Sequence, residues 1–332
     1  LLARLHSRGL DMRRPLWEAY VIEGLNEVEG LPPNSFAIMI KVHHSAIDGV
    51  SGAEIVTAIH ELAPDKRPRK VKDDWQGESE PPPWQVWSRA YLNNLRRPLR
   101  LVETVGELVP NIIRANRRAA EKEESEETAL EKTRFNGRIS SHRVTDTLIM
   151  DLDRVKAIRR AVEGATVNDV IVSIVGGALR KYLQARDELP EASLVCGAPI
   201  NLRQDRNSES RGNQVGMMTI DMGTDVDDPV GRLQAVMHHS ADSKEYSSII
   251  GPEIMVNLSR GLWPQFLGAT MRMAQSAAAR AQDFPMPIHT VISNVPGPQM
   301  DLYLAGARVQ LMMGMGPLLD MAGLFHAGIS GA

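Results

Sequence analysis

Cysteine is nearly absent: Cys196 stands alone in 332 residues. No internal disulfide can form, so nothing in the sequence calls for an oxidising compartment, and a cytoplasmic protein is the expectation. Excess charge of one sign is lacking too. With 38 Lys and Arg against 41 Asp and Glu the formal net charge is -3, which argues against a protein built to grip nucleic-acid phosphates. No apolar run reaches the roughly 18 residues a membrane-spanning helix needs. The nearest, "IMVNLSRGLWPQFLGATMRM", is interrupted by Arg260, Pro264 and Arg272. There is no HExxH motif, no cysteine cluster and no internal repeat, so no metal site is expected.

What is present suits two domains, each with its own core. The chain opens without Met and stops in glycine-rich "HAGISGA", so both ends read as cut and no terminal element is expected. Residues 36–42, "FAIMIKV", are apolar on both parities, as in a strand buried on both faces. From Val50 to Leu62 apolar residues recur at helical spacing. The stretch between them, "HHSAIDGV", therefore sits on a strand-to-helix turn. Composition shifts after Pro64 to charged, proline-rich sequence, followed by a helical region from about 84 to 127. A second α/β pattern starts near Arg143: a strand at "HRVTDTLIMDL", a helix stopping at Gly164, and a longer helix from Val167 with Ile171, Ile174, Ala178, Leu179 and Tyr182 on one face. Strands follow at "SLVCGAPINL", "QVGMMTIDM", "HTVISNV" and "ARVQLMM", with a helix near 229–246 and a mostly helical segment to Gln282 between them. The division is 1–63, a connecting region 64–142, and 143–332.

Neighbouring side chains on an extended strand point to opposite faces. His43 and His44 thus read as one base and one support rather than two metal ligands. Asp48 could cap the following helix or brace the turn, and Gly49 allows close backbone approach. Thr166 and Asp169 fit a capping box, while the Asn168 amide could donate to a developing oxyanion at the positive end of the helix. "SNVPGP" is a rigid turn after a strand. Cys196, in an apolar strand, reads as a small core residue.

"HHSAIDG" fits the HHxxxDG motif of the CoA-dependent acyltransferase superfamily, and the chain resembles the bacterial wax ester synthase/acyl-CoA:diacylglycerol acyltransferase family. "PLWE" at 15–18, "TVNDVIV" at 166–172 and "SNVPGP" at 293–298 match its further motifs in order. The resemblance implies an α/β fold of two similar chloramphenicol-acetyltransferase-like domains, each a mixed sheet flanked by helices, with an active-site tunnel at their interface. It implies His44 as the general base, His43 as a supporting neighbour, and Asp48 and Gly49 as holding the turn. Asn168, Asp169, Asn294 and Gly297 fall on the substrate path; for Pro15, Leu16 and Trp17 simple packing competes with that role.

The implied reaction carries a long acyl group from acyl-CoA, a co-substrate, to a fatty alcohol or diacylglycerol. It needs no permanently bound cofactor and no acyl-enzyme. An imidazole, titrating near about pH 6.5, suits that proton transfer. The lipid substrates imply peripheral contact with a membrane or lipid droplets, and "WPQFLGATMRMAQSAAARAQ" (263–282) has the pattern of an interfacial helix or of one packed on its own domain. Two readings compete: a condensation-type transferase using carrier-bound donors, against which PLW and NVPGP count, and a non-catalytic acyl-CoA or lipid binder, which would have no chemical need for His44. The family's usual polar stretch near the end is replaced by "MMGMGPLLDMAGLFHAGISG", whose flexible methionines suit either a greasy pocket or an irregular core.

Overall fold

Alternation of apolar and polar residues produces short paired strands, and helices form where apolar residues recur every three or four positions. A computed structural model of the chain describes residues 1–45, 55–65, 76–77, 79–95, 106, 110, 113, 131–201, 215–250, 269, 272–273, 288–320 and 322–331. Their order is α1 (Leu2–His6), β1 (Trp17–Ile22), β2 (Ala37–Val42), α2 (55–59), α3 (83–95), α4 (Leu152–Ala161), α5 (Val167–Gln184), β3 (Val195–Asn201), β4 (Val215–Asp221), α6 (Pro229–Ile250), β5 (Thr290–Pro296), β6 (Tyr303–Leu304), β7 (Ala307–Arg308) and β8 (Phe325–Ser330). The architecture is mixed α/β, with sheets flanked by helices.

β1 and β2 form an antiparallel two-stranded ladder with Trp17 opposite Val42 and Ile22 opposite Ala37. The expectation that β2 is buried on both faces does not hold. Ile38 and Ile40 are 39% and 40% exposed, because alternate β2 side chains face solvent in a sheet of two described strands. The helix expected over 50–62 is seen at 55–59; Glu61 instead pairs with Tyr303 through two backbone hydrogen bonds of 2.7 and 2.8 Å, tying this region to the β6–β7 hairpin.

The larger sheet has the order β4-β3-β5-β8, with β3 antiparallel to β4 and parallel to β5, and β5 parallel to β8. Its core joins Val172, Leu179 and Leu183 of α5 to Cys196, Met218, Ile220, Val236 and Ile292. A second cluster, Val155, Val162, Val170 and Leu233, packs α4 and α6 beside α5.

Two strand expectations are corrected. Residues 142–150 carry no ladder, and of "ARVQLMM" only Ala307 and Arg308 pair; both segments have apolar side chains on both parities and wall a groove instead. Conversely β8, read from sequence as an unstructured glycine-rich end, completes the sheet. The helical segment expected to Gln282 lies almost wholly outside the described residues, as does most of 96–130.

His289 pins the start of β5. It is 1% exposed, its Nδ1 accepts from the Val195 amide at 2.9 Å, and its Nε2 donates to the Glu131 carbonyl at 2.8 Å. Protonation would remove the acceptor, and burial holds this imidazole below its ordinary value of 6.5. The unfolded chain therefore binds the proton first, so His289 contributes stability fully above about pH 6.5 and loses it as pH falls toward the folded-state value. Asp221 has the opposite sign: burial raises its carboxyl, so protonating it on acidification favours the fold, in a window that begins above 3.8 and offsets part of the loss. We expect the melting temperature to fall between pH 7.5 and 5.5, and the slope to shrink in His289→Gln by up to about 1.4 kcal/mol per pH unit. Thermal unfolding of both proteins across that range checks it; an unchanged slope would remove His289 from the account.

Candidate functional site

The PLW and HH motifs meet because β1 and β2 are antiparallel and in register. Trp17 stands opposite Val42, and the His43 amide donates to the Leu16 carbonyl at 2.9 Å. Pro15 and Leu16 therefore run beside the histidine pair through backbone contacts, while the Trp17 side chain is 58% exposed, not core as the packing reading expects. His43 is half-buried and His44 exposed. The His43 Nδ1 accepts from the Ser45 amide at 3.2 Å and lies 2.7 Å from the Ser45 hydroxyl, which leaves the ring proton of the neutral form on Nε2. This tie fixes the His43 ring, and His44 beside it is exposed. Asp48 and Gly49 lie outside the described residues.

The ND and NVPGP motifs meet at a second place. Asn168 is half-buried in the first turn of α5. Asp169, 2% exposed, closes the capping box: Oδ2 accepts from the Thr166 amide at 2.8 Å and from its hydroxyl at 2.7 Å, and Thr166 Oγ1 accepts from the Asp169 amide at 3.2 Å. Its Oδ1 is buried with no partner. Asn294 on β5 pairs with Gly328 of β8, and its Oδ1 is likewise buried and unpartnered. A Cβ on Gly328 would sit 3.1 Å from that oxygen and 3.6 Å from Ile171 of α5, so glycine here lets strand, amide and helix converge. Gly297 continues the convergence. Its amide donates to the Ser330 carbonyl at 2.7 Å, and an added Cβ would meet Ile329 at 2.8 Å.

Between these elements runs a groove of about 990 Å³. One wall is Val167, Ile171, Ile174, Val175 and Ala178 of α5; others are residues 143–150, Leu311–Gly316 and the β8 face. This places the apolar stripe read from the sequence. Val167, Ile171, Ile174, Ala178 and Leu179 line an open groove, Leu179 belonging to the core as well, and the sides of α5 that meet the sheet and α6 include Val172, Gly176, Gly177 and Leu183. Tyr182 lies off both, its hydroxyl accepting from Arg134 at 2.8 Å with the Arg186 guanidinium 4.0 Å from its ring centre. The methionine-rich segment lines the groove through Met312, Met313 and Met315.

His6 and Arg143, at the groove's edge, link it to the histidine strand. The Lys41 ammonium, two residues before His43, donates to the Leu5 carbonyl at 3.2 Å and to the Arg8 carbonyl. Burial, then the Lys41 and Arg143 charges, hold His6 below its ordinary value. His326, also in the wall, is lowered by burial and faces the Thr290 hydroxyl at 3.2 Å. A groove with largely apolar walls and the Arg143 guanidinium in its lining fits a long-chain acyl compound with an anionic head. Cys196 is buried, and burial pushes its thiol up to about 12, which removes it as a nucleophile at neutral pH. Among the described residues no cluster of His, Cys, Asp and Glu could hold a metal ion.

The family model described as the wax ester synthase/diacylglycerol acyltransferase catalytic domain matches residues 1–171, and that of the WS/DGAT C-terminal domain matches residues 211–332. The chain belongs to this family. A Mycobacterium tuberculosis CDC 1551 protein named "Putative diacyglycerol O-acyltransferase" is 33% identical over 322 residues, covering 95% of this chain and 60% of that protein. The M. tuberculosis H37Rv protein named "Probable diacyglycerol O-acyltransferase tgs2" is 32% identical over 317 residues, 93% of this chain and 64% of that one. The solved wax ester synthase/diacylglycerol acyltransferase from Marinobacter aquaeolei VT8 superposes with a TM-score of 0.59 at 26% identity, covering 99% of this WS/DGAT-family chain and 66% of that chain. The chain thus spans about three fifths of the length of the first of these mycobacterial relatives. No described helix is long and apolar enough to cross a membrane.

His6, Arg143, the 143–150 wall and β8 are parts of the site that the sequence reading missed. Apolar residues on both parities at 144, 148, 149 and 150 were a signal, since a strand with one covered face alternates. For His6 there was none.

Proposed function

We propose that the chain is the acyl-transferring part of an O-acyltransferase that moves a long acyl group from acyl-CoA to the hydroxyl of a diacylglycerol or a fatty alcohol. The observation that carries this reading is the apolar groove beside α5, bordered by the ND and NVPGP motifs and edged by His6 and Arg143 next to the strand that delivers His43 and His44. The acyl chain lies along Ile171, Ile174 and the methionines, and Arg143 takes the anionic head. His44, the outward member of the pair, removes the proton of the acceptor hydroxyl; the oxygen bonds to the thioester carbonyl carbon, the C–S bond breaks, and the departing thiolate takes up that proton. His43, tethered to Ser45, holds the turn that presents its neighbour. Asn294 orients the hydroxyl, and Asn168 stabilises the developing oxyanion at the helix start. No covalent acyl-enzyme is needed, because the thioester is already activated, and no resident cofactor enters the scheme.

Diacylglycerol is the first acceptor to try, since both mycobacterial relatives bear that name. Incubation of the full-length protein with palmitoyl-CoA and either dioleoylglycerol or hexadecanol, followed by lipid separation, tests the reading. Triacylglycerol or wax ester with equivalent thiol release supports it; release without ester, or no release, rejects it.

Ala178, exposed on the groove wall, offers a second test. A phenyl ring there takes up space the chain needs, so Ala178→Phe should move the preference from hexadecanoyl toward shorter donors. Each methylene left unburied costs about 0.8 kcal/mol, so loss of two or three lowers kcat/KM for the long donor by roughly 10- to 50-fold. Unchanged chain-length dependence would place the acyl chain elsewhere.

A further inference from the structure

His326 is a half-buried titratable group in the wall of the groove that the acyl-transfer scheme leaves unused. Its place follows from register. Ile292 of β5 pairs with His326 of β8, and Asn294 pairs with Gly328, so His326 and Gly328, two apart on one strand, share a face. A Cβ added to Gly328 would lie 3.6 Å from Ile171 of α5, and the imidazole therefore projects on the α5 side of the sheet. Its cross-strand neighbour Ile292 belongs to the core with Val172 and Leu179. Apolar residues are the rule on such a face, and histidine departs from it.

Its hydrogen bonds fix which nitrogen holds the proton. The Thr290 hydroxyl has one proton and donates it to the Leu324 carbonyl at 3.1 Å, so toward His326 Nδ1, 3.2 Å away, it can only accept. The Val291 carbonyl, on the next residue, is a second acceptor for the ring. Nδ1 thus carries the proton. Burial holds this imidazole below its ordinary value, so at neutral pH the ring is uncharged and Nε2 keeps a lone pair.

An unmet acceptor in an apolar wall penalises a plain hydrocarbon chain laid over it, and a hydroxyl on that chain removes the penalty. Other polar side chains of the lining make no such demand. Thr145, Asp146, Thr147 and Gln310 are exposed to water, and Asp301 pairs with Arg308 at 3.0 Å. Register also sets the depth: His326 stands two residues from the level of Asn294 and Gly328, about 7 Å along the sheet. With the ester forming beside Asn294, that distance is several methylenes from the thioester carbonyl.

We propose that His326 makes the groove selective for acyl chains bearing a mid-chain hydroxyl, whose O–H donates to Nε2. The inference rests on the acyl-transfer reading for the direction in which the chain runs. The test compares hexadecanoyl-CoA with its 3-hydroxy, 7-hydroxy and ω-hydroxy derivatives on the full-length protein, by equilibrium binding and by ester formation with dioleoylglycerol. The 7-hydroxy donor should bind about 5- to 10-fold more tightly than the plain one, with a matching gain in kcat/KM, and the other two should gain less. His326→Leu should abolish or invert that ratio, and His326→Gln, which keeps an acceptor, should retain part of it. A merely structural histidine would move all four donors alike.

Equal binding of the plain and 7-hydroxy chains by the wild type overturns the proposal and means that water serves Nε2; ester formed from hexadecanoyl-CoA in the same experiment leaves the acyl-transfer reading standing. A preference that survives in His326→Leu also overturns it. Preferential binding of the 7-hydroxy chain, lost in His326→Leu, with no ester from any donor, does the reverse: it rejects the transfer reading and keeps His326 as the group that reads the chain.

Discussion

Replacing His44 by Ala should lower acyl transfer from palmitoyl-CoA to either acceptor by about 10² to 10⁴, the range a positioned general base contributes. The loss should appear in kcat with little change in KM for the donor, because the proposed seat of the acyl chain is α5 and the methionine segment rather than the imidazole. Stability should hold within about 0.5 kcal/mol, since His44 is exposed beyond the end of β2. His43→Ala should cost less: its ring is tied to Ser45, so its removal loosens the turn without removing the base. Steady-state kinetics with a thiol reagent, compared at equal folded fraction, checks both. Wild-type turnover in His44→Ala would show that the proton leaves by another route. Loss of donor binding in the same variant would show that the histidine is part of a binding surface only.

The largest effect on stability should come from Gly176→Ala. A Cβ at this position would lie 2.2 Å from the Met222 carbonyl oxygen and 3.2 Å from its carbon, and neither is the end of a flexible side chain. Alanine gains roughly 1 kcal/mol over glycine in a helix interior, but forced overpacking costs up to about 3 kcal/mol. The clash wins, leaving a net loss of about 2 kcal/mol and a melting temperature lower by roughly 4–8 °C. Gly177 has a different neighbour: its Cβ would meet the Arg232 guanidinium at 2.7 Å. That guanidinium donates to the Ser173 carbonyl from Nε at 3.3 Å and to the Val226 carbonyl from Nη1 at 3.0 Å. Gly137→Ala is the control, with nothing within 4 Å of the added atom. Thermal unfolding of the three proteins decides the matter; equal melting temperatures would mean that α5 and β4 do not approach as closely as described.

Motif placement was the most legible level of the sequence. Backbone pairing is local in consequence, so PLW and HH came to adjacent strand ends, and ND and NVPGP to one end of the groove. The capping box at Thr166 and Asp169 was legible for the same reason: four consecutive residues contain the whole interaction. Burial was legible for β3, where Cys196 and Ala198 reach the core, and misread for β2, where apolar composition was taken for a covered face. Periodicity found α5 but could not say which of its sides meets the sheet. The stripe of Ile171, Ile174 and Ala178 is the more conspicuous one, yet Gly176 marks the side where backbone comes close. β8 was missed because its pairing partner, β5, lies some 30 residues away and its own glycine hides strand propensity. His6 joins the groove through α1, a placement no local pattern encodes.

The central claim is that the acyl chain of the donor lies along α5. The most direct measurement is photolabelling of the full-length protein with a palmitoyl-CoA analogue carrying a diazirine at the end of its chain, with labelled peptides mapped by mass spectrometry. Label on residues 167–179 or 309–316, competed by palmitoyl-CoA and moved by Ala178→Phe, is the result this account predicts. Competed label confined to other segments, with the α5 peptides unlabelled, would contradict it.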